Sequence, residues 1–150
     1  MRNLLLSLTT LLALGQVQAA KPHALFVVGT HHYSPHETMP ALASQLDALG
    51  WKTSVLNPDY NPEKNSKGIA GLELLQEADI AIFYTRFLTL PPDQFRLIQL
   101  YLEAGKPVVG FRTSTHAFDY PKDNSLTKWN NGFGSDALGS QYFAHLQGDT

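Results

Sequence analysis

The sequence predicts an α/β fold, a doubly wound and mainly parallel sheet with helices on both faces. Three observations carry that prediction. Short apolar runs recur without polar alternation, as strands covered on both faces require. Stretches with helical spacing separate them. Polar loops follow the runs, and in open α/β sheets ligands bind outside the carboxyl ends of the strands. The chain is organised around residues 105–116. There Pro107-Val-Val-Gly-Phe111 reads as a buried central strand, and Arg112, Thr113, Ser114, Thr115 and His116 follow at its carboxyl end.

Taken in order, residues 24–29 form the first strand and residues 30–36 the loop after it, with His31, His32, Tyr33 and His36. Residues 37–49 read as a helix, because Met39, Leu42, Ala43, Leu46 and Leu49 recur at its period and Gly50 stops it. Pro40 is expected in its first turn, where a missing N–H costs little. Residues 52–56 are the second strand. Residues 57–67, with Pro58 and Pro62, read as an exposed loop. A short helix over residues 69–78 carries Leu72, Leu74 and Leu75, and residues 79–84 are the third strand. A further helix opens at Thr89 or Leu90, with Pro91 and Pro92 in its first turn and Phe95, Ile98 and Leu102 on its apolar face. Residues 118–134 form a long loop, packed through Trp129 and Phe133. Residues 136–145 are expected to make a last short helix.

Length and composition set the bounds. A chain of 150 residues holds one domain with a core. Residues 1–20 read as a secretory leader: Arg2, an apolar run from Leu4 to Leu14, then Val17-Gln-Ala19 before cleavage after Ala19 or Ala20. Residues 21–150 are the domain, exported to the periplasm or the extracellular space and free of the membrane after cleavage. Of 11 Lys and Arg against 13 Asp and Glu, cleavage removes Arg2 alone and leaves a formal −3. That balance holds no basic stripe for nucleic acid. With no cysteine, thiol nucleophiles, thiolate metal sites and disulfides are excluded within the chain.

The topology gathers three polar loops at one sheet edge. His32 and His116 are the candidate acid–base residues, since neutral imidazole suits that chemistry near neutral pH. The same two, with His145, are the candidate ligands of a divalent metal, the alternative being that they are hydrogen-bonded loop residues. Arg86 and Arg112 could orient a substrate through their planar forks or pair with loop acids. Thr113, Ser114 and Tyr33 complete the substrate-binding candidates at this edge. Trp129, with Tyr120, Phe118, Asn130 and Asn131, has the mix of flat apolar faces and amides that suits a carbohydrate, or else packs its loop. Ser114 lacks a G-x-S-x-G frame, because Phe111 and His116 stand where a nucleophile elbow needs small residues.

Four stretches carry a family resemblance. They are Gly29-Thr-His-His-Tyr33, Tyr84-Thr-Arg-Phe-Leu88, residues 105–118 and Lys128-Trp-Asn-Asn-Gly-Phe-Gly-Ser-Asp-Ala-Leu-Gly139. Together they resemble the ThuA-like (trehalose utilisation) family, the last stretch its exported bacterial branch. The resemblance covers most of the chain from about residue 24 onwards. It implies a flavodoxin-like fold related to class I glutamine amidotransferases, and a role in the metabolism of sugars. The elbow that bears a cysteine in that superfamily falls at or near Arg112, so amidotransferase chemistry is excluded. What carries over is a polar pocket at His32, Arg86, Arg112, Thr113 and His116. The partner implied is a small-molecule carbohydrate, acted on or bound; a non-catalytic sugar-binding or interaction module and a metal-dependent hydrolase are the alternatives. Family members continue past the stretch matching Tyr142-Phe-Ala-His-Leu-Gln-Gly148 into further strands. The expectation is therefore a sheet lacking those strands, in a truncated chain or one completed by another copy in a homo-oligomer.

Overall fold

The structure, a computed structural model, describes residues 19–143. The apolar run expected to form a leader and His145 lie outside the described residues. The order is β1 (His23–Gly29), α1 (Pro35–Ala48), β2 (Lys52–Leu56), β3 (Ile80–Thr85), α2 (Pro92–Glu103), β4 (Val108–Gly110) and α3 (Trp129–Gly132), with 3-10 turns at Leu72–Gln76 and Arg112–His116. The four strands form one all-parallel sheet in the order β2-β1-β3-β4. This is an α/β fold whose strand order is compatible with a flavodoxin-like sheet.

The apolar runs of β1 and β3 become the two inner strands, and alternation divides their side chains between the faces. Leu25, Val27, Ala81 and Phe83 meet α2 through Phe95, Ile98 and Tyr101. Ala24, Phe26, Val28, Ile82 and Tyr84 meet α1 through Met39 and Ala43. Each buried side chain of this size is worth about 1.5–3 kcal/mol, so these runs fix the register. Among the described residues no helix is long and apolar enough to cross a membrane.

Four expectations need correction. β4 is an edge of the described sheet, not a central strand; it pairs with β3, and Val109 is 39% exposed. The helix expected over residues 69–78 is a short 3-10 turn, entered through Gly71 at φ +90°. The last helix comes earlier than expected, as α3 followed by a wider π turn at Phe133–Ala137. α1 begins at Pro35, which moves Pro40 inside it. An interior proline leaves the carbonyl four residues back without its donor. That carbonyl, on His36, accepts from the Asn57 side-chain amide at 2.9 Å. The loop after β2 thus repairs the helix after β1 and holds its first turn in place.

Residues 118–134 pack as expected. Phe118, Tyr120 and Phe133 are buried, and Phe95 meets the rings of Phe118, Tyr120 and Trp129 at 5.0–5.8 Å. Gly134 lets this segment lie on the turn after β4, since a Cβ there would strike the carbonyls of Thr115 and Ser140.

Candidate site at the carboxyl edge of the sheet

The loops after β1, β3 and β4 open on one edge because the strands are parallel. Gly29 permits close approach at that edge; a Cβ would collide with Thr85 and Leu88. The backbone there is held in costly conformations. Tyr33 (φ +67°), Ser34 (φ +56°), Phe87 (φ +49°) and Arg112 (φ +47°) all lie in the left-handed region. For residues with a Cβ this costs about 1–2 kcal/mol each, and such strain clusters at functional sites.

Two arrangements occupy the edge. The first is a closed polar knot. Arg86 pairs with Glu63, and both side chains are largely buried. The other Glu63 carboxylate oxygen accepts from the Thr30 hydroxyl at 2.8 Å, and that hydroxyl accepts from the His32 backbone N–H at 2.9 Å. The guanidinium of Arg86 also lies over Phe87, 4.3 Å from the ring centroid. Phe87 in turn meets His116 at 5.2 Å, and Tyr142 lies 4.3 Å from His116. His116 is 6% exposed.

The second arrangement is open. Arg112 is exposed, and its guanidinium lies 4.0 Å from the centroid of Tyr33. His32 packs on the other ring contact of Tyr33, at 4.1 Å. Tyr84 is 4% exposed, with its ring parallel to Phe111 at 6.2 Å. Burial pushes its phenol above 10.0, a shift that the nearby Arg112 charge partly offsets and Tyr33 adds to. Tyr84 is therefore a neutral hydroxyl donor at physiological pH.

The sequence-predicted residues divide accordingly. Arg112, Tyr33 and His32 come together on the open side. Arg86 and His116 come together at the knot. The rings of His32 and His116 pack on different partners, Tyr33 and Phe87. Among the described residues no three His, Asp or Glu side chains are placed to hold a metal. Thr113 and Ser114 turn inward. The Thr113 hydroxyl donates to the Thr85 carbonyl at 2.9 Å. Ser114 donates to the Phe83 carbonyl at 2.9 Å and accepts from the Thr85 N–H at 3.1 Å, fully buried. Both hydroxyls tie the turn after β4 onto β3, so their work is to support the edge. Trp129 also sits elsewhere. It packs on Phe95 and lines a cleft of about 230 Å³ with Leu102, Gly105, Lys106, Val108 and Asp136, beside the amino end of β4.

Glu63 is the site residue that sequence reasoning passes over. Its only signal is an acid in a loop rich in prolines and charges, 23 positions from the arginine it neutralises.

No protein-family model, no curated protein and no solved structure matches this chain.

Proposed function

We propose that this chain is an exported, ThuA-like α/β protein that binds a carbohydrate or sugar derivative at the carboxyl edge of its sheet. The observation that supports this most is the open face on which Arg112 is seated over the exposed Tyr33. It offers a ring, a planar fork of donors and a phenolic hydroxyl together, the groups that a polyhydroxylated ring engages. The strained loop residues around it are consistent with a preorganised binding surface. The strand order supports the flavodoxin-like form of the fold, and the β4 edge of the described sheet is suited to a second copy.

The placement of the histidines favours binding over catalysis. His116 is nearly inaccessible and its ring meets Phe87 and Tyr142, while the His32 ring packs on Tyr33. A catalytic acid–base pair would need to share one reacting group. The test is calorimetric titration of the full chain with a panel of disaccharides and oxidised sugars, with chromatography of the recovered ligand. Saturable binding with the ligand returned unchanged fits the proposal. Turnover that is lost in His116→Ala, in a variant that still folds, would replace it with the enzyme reading. No binding to any member of the panel would end the carbohydrate reading.

A further inference from the structure

The two arginines of the carboxyl edge differ in charge balance, and that difference speaks to the ligand. Arg86 is neutralised by Glu63, and on α2 Arg96 is neutralised by Glu103 at 2.9 Å. Arg112 has no carboxylate within ion-pairing distance among the described residues. It is nevertheless fixed in position. Its backbone is held left-handed at φ +47°, and its guanidinium is seated on the Tyr33 ring. An arginine stacked on a ring keeps its N–H edge free for a planar partner. A surface arginine that merely solvates the fold needs neither a strained backbone nor a ring to rest on.

Tyr84 supplies a second donor. Its ring is buried against Phe111, and the charge of Arg112 acts on its phenol. Among the described residues no hydrogen bond engages that hydroxyl. A buried tyrosine usually finds a partner for its hydroxyl.

The geometry points to a carboxylate group on the ligand, held in the fork of Arg112 over Tyr33 and assisted by the Tyr84 hydroxyl. This rests on the carbohydrate reading and narrows it to acidic sugars such as uronic or aldonic acids. The charge count selects carboxylate over phosphate. One unneutralised guanidinium and one neutral hydroxyl balance a single negative charge, whereas a phosphate monoester carries close to two at neutral pH. The planar fork also matches a carboxylate through two parallel N–H···O bonds.

The test is titration of the full chain with four probes: glucuronate, glucose, glucose 6-phosphate and lactate. Each is measured on the natural protein and on Arg112→Gln and Tyr84→Phe, with thermal unfolding followed to show that the variants fold. The expected result is that glucuronate binds at least about ten-fold tighter than glucose. Arg112→Gln should erase that preference, and Tyr84→Phe should reduce it about three-fold or more. Raising the salt concentration should weaken glucuronate and leave glucose unchanged. Glucose binding as tightly as glucuronate would overturn the carboxylate and leave the carbohydrate reading standing. Lactate binding as tightly as glucuronate would keep the carboxylate site and remove the sugar. Tighter binding of glucose 6-phosphate would overturn the choice of carboxylate. A preference that survives in folded Arg112→Gln would overturn the assignment to this face. Failure of all four probes would overturn both readings.

Discussion

Arg86 and Arg112 follow neighbouring strands, and the protein treats them in opposite ways. Arg86 is enclosed, paired with Glu63 and linked through Thr30 to the loop after β1. Arg112 is exposed, strained and seated on an aromatic ring, and among the described residues no acid pairs with it. The first arrangement uses charge to lock three loops together. The second keeps a charge available. A residue type and its place after a strand do not decide which role it takes; the acid that the fold brings to it does.

Removing that acid should produce the largest effect. Glu63→Ala leaves the Arg86 guanidinium uncompensated and the Thr30 hydroxyl without its acceptor. The expected loss is about 3 kcal/mol, at the low end for a broken buried pair because both side chains keep some solvent. Urea unfolding measures it. A loss under about 0.5 kcal/mol would mean that the knot is an ordinary surface pair. Ser114→Ala comes next. It strands the Thr85 N–H inside the sheet, while the Phe83 carbonyl keeps the Phe111 N–H, at a cost of about 1–2 kcal/mol. Unchanged stability would show that Ser114 does not tie β4 to β3.

Arg112→Gly sharpens the contrast from the other side. Glycine relieves the left-handed backbone but gains entropy in the unfolded chain, so stability should stay within about 1 kcal/mol of the natural protein. Ligand binding should nevertheless be lost. A substitution that costs no stability and removes binding is the mark of a residue kept for the ligand. A variant that loses about 2 kcal/mol or more would assign Arg112 to the scaffold instead.

The smallest effect is remote from both arginines. His23 begins β1, is buried, and shares a hydrogen bond with the Ser54 hydroxyl at 2.9 Å. Burial, followed by the Lys52 charge, holds its pKa below the ordinary 6.5. Above 6.5 the folded and unfolded chains both leave it neutral, and it has no effect on the pH dependence. As pH falls below that value the unfolded chain takes up a proton that the folded chain resists. Stability therefore declines downward through that window, and the decline ends once the folded-state pKa is passed. Unfolding of His23→Gln at stepped pH should show a shallower decline. An equal slope in both proteins would remove His23 from the account.

The inner strands were legible in the sequence because burial on both faces leaves an unbroken apolar run, as in Ala24-Leu-Phe-Val-Val28. The same signal misplaces β4. Val108 and Val109 are as β-branched as any central strand, and nothing local to them says that the sheet has a neighbour on one side alone. The loops that form the edge were legible for a related reason, since parallel strands must send alternate connections to one side. Which loop residue faces the crevice was not. Ser114 and Thr113 have the composition of a binding loop, yet three backbone groups of β3 claim them. Glu63 has the composition of a solvated loop, yet it is the residue that decides the state of Arg86. Partnerships between distant loops are set by packing, and short-range spacing does not encode them. Trp129 shows the same limit, because its flat face serves Phe95 and not the carboxyl edge.

Amide and side-chain NMR shifts recorded while an acidic sugar is titrated into the full chain test the central claim most directly. The account predicts that the largest changes fall on Tyr33, Tyr84, Phe111 and Arg112, with the Glu63–Arg86 knot little affected. Changes centred instead on Leu102, Lys106, Val108 and Trp129 would place the ligand in the cleft beside the amino end of β4 and contradict it.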